Sequence, residues 1–364
     1  MKVLHAAETI KGGVATVINS LMEHQTKQSG LEVICLVPSD QVENLVQLEK
    51  LKEFQFNRKG RNLLGMLAFF WTFYKLIISE KPNIVHLHSS FAGLLGRLAI
   101  ILTGRRNKIK IIYCPHAFGF LMQTSNLKRK FYVIAERILS TVTDKIICVS
   151  QSEYNTAIKK GFNAEKLIVI HNGVNVKGKK NIRMSNNNKN YNLLFVGRFD
   201  YQKGIDILAQ AINELGKNTT DTHYEFTLVG EAVNSDEDIT FQEAKNIKVN
   251  KLGWLKPEQL EEQYLNHDAI IIPSRWEGFA MVPLEAMSYG LPIIASDIDA
   301  FKEIEDHENS HITFFNLNAP SLFACLNNIQ NIDFEKNGSS ALNNFKIKYT
   351  DNIMNKKTSK IYFI

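Results

Sequence analysis

Cysteine and proline are both scarce in this chain of 364 residues, at four and eight, and their scarcity narrows the fold before any motif is read. Cys35, Cys114, Cys148 and Cys325 stand alone with no CxxC spacing, so neither a disulfide framework nor a zinc site is indicated and a reducing compartment is expected. With only 20 glycines and no recurring period, low-complexity, collagen-like, solenoid and propeller architectures are excluded. No apolar run reaches the roughly 18 to 20 residues that cross a bilayer. The nearest, Leu63 to Ile78, carries Lys75 near its end and is expected to be a buried helix. Met1 to Ala7 is too short for the apolar core of a signal peptide, so a cytoplasmic location is expected.

What is present is the composition of a soluble protein, 45% apolar and 22% charged, with enough chain for two cored domains. Charge is unevenly divided. Residues 1–173 hold 23 Lys and Arg against 12 Asp and Glu, while the remainder holds 20 against 25. A basic first half suits an anionic partner such as membrane headgroups, nucleic acid or a diphosphate-bearing substrate.

Short β-branched runs recur at Val3–Ala6, Glu32–Val37, Ile84–His88, Ile109–Cys114, Lys145–Val149 and Leu167–Ile170. Helix-period stretches alternate with them: Val14–Met22, Val42–Leu51, Leu63–Ile78, Leu94–Leu102 and Phe131–Leu139. Strands apolar on both faces and alternating with such helices predict a doubly wound parallel sheet. Lys177 to Asn190, rich in Lys and Asn, is predicted to be a solvated linker. A second series follows, with strands at Asn192–Val196, Glu225–Val229, Ile247–Leu252, Ala269–Ile272 and Leu291–Ala295, and helices such as Ile205–Leu215 and Pro257–Leu265. The expected organisation is an α/β domain over 1–173, a second over 174–345, and a closing segment 346–364. Ligands of open parallel sheets gather at the carboxyl ends of the strands, so two such sheets are expected to face each other across a cleft.

The chemistry-bearing residues do follow strands. Lys11-Gly12-Gly13 precedes a helix, where glycines let backbone N–H groups approach an anion, although a plain tight turn has the same composition. Gly197-Arg198-Phe199-Asp200-Tyr201-Gln202-Lys203-Gly204 places a guanidinium and an ammonium on one strand-to-helix loop, a pairing suited to phosphate. Pro273 to Met287 carries Glu277 and Glu285, which would lie about 12 Å apart along one continuous helix. A helix starting near Val282 or Pro283 instead puts Glu277 in the loop and Glu285 in the first turn, facing the same cleft.

These motifs, in this order, resemble the retaining GT-B glycosyltransferases of glycosyltransferase family 4. The resemblance is collinear over roughly residues 1 to 305. It runs through Lys11-Gly12-Gly13, Val85-His86-Leu87-His88, Pro115-His116, Val149-Ser150, His171-Asn172-Gly173-Val174, the Gly197–Gly204 loop, Val229-Gly230, Leu252-Gly253-Trp254 and Glu277 through Glu285. It implies that Arg198 and Lys203 hold the donor diphosphate, that Glu285 bonds the nucleotide ribose, and that Glu277 approaches the donor sugar. Gly13 would close on the diphosphate and His116 would meet the transferred sugar, a core imidazole being the alternative for His116. Breaking a sugar–phosphate bond builds positive charge on the anomeric carbon and negative charge on the leaving diphosphate, which is what such cations and carboxylates stabilise.

The family further implies transfer with retention of configuration from a nucleotide-sugar, with UDP the expected nucleotide, to a lipid-linked saccharide in O-antigen, capsule or exopolysaccharide synthesis. The nucleotide-sugar is a co-substrate, so no cofactor is expected. No metal is expected either, since Asp297-Ile298-Asp299 has DxD spacing but two acids do not make a coordination shell. The following Asp299-Ala300-Phe301 departs from the paired glycines common in the family. Basic clusters Arg105-Arg106 and Lys128-Arg129-Lys130, with Phe69, Phe70, Trp71, Phe73 and Tyr74, suggest peripheral attachment to an anionic membrane surface at its inner face. Nucleic acid is not an expected partner, because no groove-reading motif is present. A nucleotide-sugar 2-epimerase of the same architecture and a non-catalytic nucleotide-sugar-binding subunit are the alternatives. The closing segment from Tyr349 is expected to return to the first domain, with a hinge near His171 to Asn190.

Overall fold

The computed structural model describes residues 1–60, 62–121, 125–176, 189–218, 221–232, 240–242, 244–305 and 310–363. The chain divides into two units: Met1–Val174 with Asp351–Ile364, and Asn175–Thr350. Residues 177–188 of the predicted linker and hinge lie outside the described residues, and Asn190 already belongs to a strand.

The first unit holds strands β1 (Lys2–Ala7), β2 (Glu32–Pro38), β3 (Leu51–Phe56), β4 (Ile84–His88), β5 (Lys110–Cys114), β6 (Lys145–Cys148) and β7 (Leu167–Val169). Its helices are α1 (Gly12–Thr26), α2 (Leu63–Glu80), α3 (Ser90–Leu102), α4 (Asn126–Ser140) and α5 (Gln151–Lys159). All strand pairs are parallel, in the order β3-β2-β1-β4-β5-β6-β7. Strand parity explains why the strands are apolar throughout. Leu4, Ala6, Ile34 and Leu36 join one core cluster, while Ala7, Val33, Cys35 and Val37 join another with Ala15, Ile18 and Met22 of α1. The order reverses between β1 and β4, the switch point where open sheets bind ligands.

Two expectations for this unit are corrected. Val42–Leu51 is not a helix: a 3₁₀ turn covers Ser39–Asn44, and Leu51–Phe56 forms the edge strand β3. Val42, Leu45, Val46 and Leu48 have helix-like spacing because they all drop onto the same core cluster, not because they share a helix face. The segment Leu63–Ile78 is helical but only one side is buried. Phe69, Phe73 and Ile77 are inaccessible, whereas Leu63, Leu64, Leu67 and Trp71 are exposed. A helix apolar all round reads as buried from sequence, and periodicity could not distinguish its faces.

Beneath α3 lies a buried polar network. Arg97 donates to Glu136 Oε2 at 2.7 Å and to the Gly93 carbonyl at 2.6 Å, and its guanidinium lies 4.2 Å over the Tyr113 ring. The Tyr113 hydroxyl donates to the other Glu136 oxygen at 2.8 Å. Any Cβ at position 93 would collide with the Tyr113 ring, so glycine lets α3 approach this strand.

The second unit holds β8 (Asn190–Val196), β9 (His223–Val229), β10 (Ile247–Gly253), β11 (Ala269–Ile272), β12 (Ile293–Ser296) and β13 (Ile312–Phe315). Its helices are α6 (Ile205–Gly216), α7 (Pro257–Asn266), α8 (Met281–Tyr289), α9 (Asp299–Ile304), α10 (Ala319–Asn327) and α11 (Phe334–Lys348). The strands are again all parallel, in the order β10-β9-β8-β11-β12-β13, with the reversal between β8 and β11. Past α11, the helix α12 (Asp351–Phe363) belongs to the first unit, where the Asn355 amide donates to Ser20 Oγ of α1 at 3.0 Å.

Candidate active site

The loops leaving the two switch-point strands of the second sheet carry most of the candidate residues. Gly197–Gly204 connects β8 to α6, and Pro273–Ala280 connects β11 to α8. They are stitched together. The Arg275 N–H donates to the Gln202 carbonyl at 2.8 Å, and the Gln202 amide donates to the Trp276 carbonyl at 3.2 Å. Arg275 forks onto Asp206 of α6 at 2.6 and 2.7 Å and stacks 3.7 Å over the Tyr201 ring. Gly204 has φ +67° and faces the Pro273 carbonyl so closely that a Cβ would overlap the oxygen. Glycine is required there both for its left-handed backbone and for the close approach.

Within this frame Lys203 Nζ meets Glu277 Oε1 at 2.6 Å, and Ser274 Oγ donates to the same oxygen at 2.8 Å. The Glu277 side chain is 7% exposed and that of Lys203 19%, so the pair is held in a mostly dry setting where charge counts for more than at the surface. An ammonium has three donors, and Glu277 occupies one. Arg198 is more open and is oriented by Asp200 Oδ2 at 3.1 Å and Gln202 Oε1 at 2.9 Å. Asp200 Oδ1 also accepts the Lys203 N–H at 2.9 Å, fixing the turn. The sequence-predicted Arg198, Lys203 and Glu277 thus share one pair of interlocked loops.

Glu285 requires a correction. The helix begins at Met281, so Glu285 is its fifth residue and not in the first turn, and it lies beyond the N–H groups through which the helix dipole acts most strongly. What orients it is Tyr264 of α7, whose hydroxyl donates to Glu285 Oε2 at 2.7 Å. Tyr264 is buried and stacks on Tyr289, and burial with the adjacent carboxylate pushes its phenol well above the usual range, so it stays a donor. Asp297 pairs with Lys302 at 2.8 Å, and Asp299, the other acid of the DxD spacing, is the first residue of α9.

In the first unit, Gly12 and Gly13 are the first two residues of α1, preceded by Lys11, and Gly12 has φ +53°. His116 follows β5 with φ +57°. It is not isolated: its Nε2 lies 3.1 Å from His88 Nδ1, at the end of β4. Burial lowers the His116 imidazole to about 4, so it is neutral at physiological pH. Sequence reasoning missed its supports, His5, Gln25 and Tyr362, as well as Ser274, Asp200, Gln202 and Arg275. The parity of His5, His86 and His88 on neighbouring strands was an available signal, since it puts three imidazoles on one sheet face.

Two doubly wound parallel sheets with polar loops at their switch points are the components of the GT-B fold. Residues 11–177 match the family Glycosyltransferase Family 4 and residues 178–328 match Glycosyl transferases group 1; the chain belongs to this glycosyltransferase family. It is 37% identical to an uncharacterized 41.2 kDa protein in the cps region of Klebsiella pneumoniae, over 84% of this chain and 83% of that one. It is 30% identical to the Escherichia coli UDP-Gal:alpha-D-GlcNAc-diphosphoundecaprenol alpha-1,3-galactosyltransferase, over 62% of this chain and 60% of the enzyme. The fold is shared with the crystal structure of Anabaena Alr3699/HepE in complex with UDP, at TM-score 0.75 and 17% identity, covering 100% of this chain and 99% of the other.

Proposed function

We propose that this glycosyltransferase moves a hexosyl group from a UDP-sugar to a lipid-linked saccharide, with retention and without a metal, in the synthesis of O-antigen, capsule or another surface polysaccharide. The observation that carries this reading is the dry Lys203–Glu277 pair, with Arg198 beside it on the interlocked loops. Arg198 and Lys203 neutralise the diphosphate as it leaves, a stabilisation that is larger in the transition state than in the bound donor. Glu277, held by Ser274 and Lys203, orients hydroxyls of the donor sugar and tolerates its developing positive charge. Glu285, aligned by Tyr264, accepts from the ribose. In the first unit taken by itself, the α1 N-terminus at Gly13 has N–H groups suited to a diphosphate, and His116 is an imidazole suited to a hydroxyl of the transferred sugar. The names of the relatives support the donor and acceptor: one takes UDP-Gal and a diphosphoundecaprenol-linked GlcNAc, and one is bound to UDP.

Incubation with a panel of UDP- and GDP-sugars and undecaprenyl-diphosphate-linked acceptors, followed by mass spectrometry, tests the reaction. A glycosylated lipid with the anomeric configuration of the donor is expected. An epimerised nucleotide-sugar formed without acceptor would replace this reading with the epimerase.

The lipid-linked acceptor fits a second feature. Leu127, Phe131, Ile134 and Ile138 form one face of α4 and are 58% to 81% exposed, next to Lys128, Arg129 and Lys130. Leu63, Leu64 and Trp71 of α2 are also exposed, whereas Phe69 and Phe73, grouped with the membrane aromatics from sequence, are in the core. An outward apolar stripe flanked by cations matches the inner face of an anionic membrane, where each cation contributes about 1 kcal/mol. Binding to phosphatidylglycerol-containing vesicles at low salt is expected to fall at least about tenfold on reversing Lys128, Arg129 and Lys130 to Glu. It should fall as well in Phe131→Ser with Ile134→Ser, and unchanged binding in both variants would discard the membrane assignment.

A further inference from the structure

Four imidazoles, one amide and one phenol of the first unit form a continuous chain of hydrogen-bond distances. Gln25 Oε1 of α1 lies 2.8 Å from His5 Nε2, His5 Nδ1 lies 3.0 Å from His88 Nε2, and His88 Nδ1 lies 3.1 Å from His116 Nε2. In the other direction the Gln25 amide nitrogen donates to the Tyr362 hydroxyl of α12 at 3.3 Å, and that oxygen lies 2.6 Å from His86 Nδ1. His5, Gln25, His86 and His88 are all buried, and burial lowers His5 to about 4 and His86 and His88 well below the usual imidazole range. Each imidazole is therefore neutral and carries one proton.

A row of singly protonated imidazoles has two self-consistent directions, since every ring that donates on one side must accept on the other. Imidazoles and the phenol serve either direction. The amide does not, because its two ends differ chemically. With the Gln25 oxygen toward His5, that ring must carry its proton on Nε2 and accept on Nδ1. His88 must then donate from Nε2 and accept on Nδ1, and His116 must donate from Nε2. The Tyr362 hydroxyl, receiving the Gln25 amide, donates in turn to His86 Nδ1.

We propose that Gln25 is a positioning residue which, through His5 and His88, holds His116 in the Nε2–H tautomer and so presents His116 Nδ1 as a bare acceptor for a hydroxyl of the transferred sugar. The tautomer follows from the chain alone; its use on a sugar hydroxyl rests on the reading of His116 given under the proposed function. The arrangement parallels what a carboxylate or carbonyl does for any working histidine, where the partner of one ring nitrogen decides what the other can do. A metal ion is the competing occupant, because ligand atoms of His5, His86 and His88 lie within 4.8 Å of one another. His5 Nδ1 and His88 Nε2, 3.0 Å apart, already satisfy each other, and a metal held by the three rings would have to break that contact.

Long-range proton–nitrogen correlation spectra of the ¹⁵N-histidine-labelled full chain read the tautomer directly, with His116 assigned by its loss in His116→Asn. The wild type is expected to show His116 protonated on Nε2. Gln25→Glu, an acceptor toward His5, is expected to keep that pattern, and Gln25→Leu to replace it with a mixture of tautomers. Gln25→Leu should also lower kcat on the order of tenfold, with KM within about twofold and Gln25→Glu restoring most of it. His116 protonated on Nδ1 in the wild type, an unchanged single tautomer in Gln25→Leu, or stoichiometric zinc in the purified protein would each overturn the proposal. Normal transfer by His116→Asn would instead remove the sugar contact of His116 and leave the tautomer result standing, so the two failures are distinguishable.

Discussion

Lys203→Ala and Glu277→Ala are each expected to lower kcat/KM for sugar transfer by on the order of 10²- to 10³-fold, the range for removing one preorganised charge from a transition state. The two losses have different origins. Without Lys203 the cation left on this loop for the departing diphosphate is Arg198, which is more exposed and shares its donors with Asp200 and Gln202. Without Glu277 the ammonium stays but Ser274 Oγ loses its acceptor, and nothing replaces the carboxylate beside the sugar. Lys203→Arg is expected to recover little, since a planar fork does not take the place of a compact ammonium 2.6 Å from Glu277. Cooperative thermal unfolding should persist in all three variants, because the loops are tied independently by Arg275, Asp206 and Gly204. Steady-state rates with the identified donor and acceptor make the check, and full activity in both alanine variants would remove the proposed mechanism.

A loss of similar size in stability is expected at Arg97. Arg97→Met deletes one half of a fully buried ion pair and leaves Glu136 and the Tyr113 hydroxyl without the cation, a type of change that costs about 3–5 kcal/mol. The double variant Arg97→Met with Glu136→Leu removes the orphaned charge as well and is expected to recover much of that loss. Urea denaturation followed by tryptophan fluorescence and circular dichroism compares the three proteins. A single variant as stable as the wild type, or a double variant no better than the single, would show that the network contributes little.

Much of the architecture was legible because parallel strands buried on both faces announce themselves as apolar runs: Ile84–His88 and Ala269–Ile272 match their strands residue for residue. β3 was not, because LKEFQF is an edge strand with polar residues on its open side, and the residues before it mimic a helix face by all falling onto one core. β13, Ile312–Phe315, was passed over, being four residues long and the last of its sheet. In the candidate site, Arg198, Lys203 and Glu277 were legible from their positions after strands. The geometry that unites them depends on side-chain-to-carbonyl contacts between loops some 70 residues apart, which no local pattern encodes. Tyr264 and Tyr362 were invisible for the same reason. Each is an ordinary helical tyrosine until the fold sets its hydroxyl against Glu285 or His86.

The first unit is assembled from two stretches of chain separated by the 176 residues from Asn175 to Thr350. At ribosomal speeds of about 5–20 residues per second, the strands carrying His5, His86 and His88 emerge roughly fifteen seconds to a minute before Tyr362. Through that interval α1 lacks the cover of α12, and Gln25 and His86 lack their shared phenol. That cover arrives only after the whole second unit has been translated. The row of hydrogen bonds that joins Gln25 to His86 thus depends on a phenol encoded some 270 residues beyond the strand it serves.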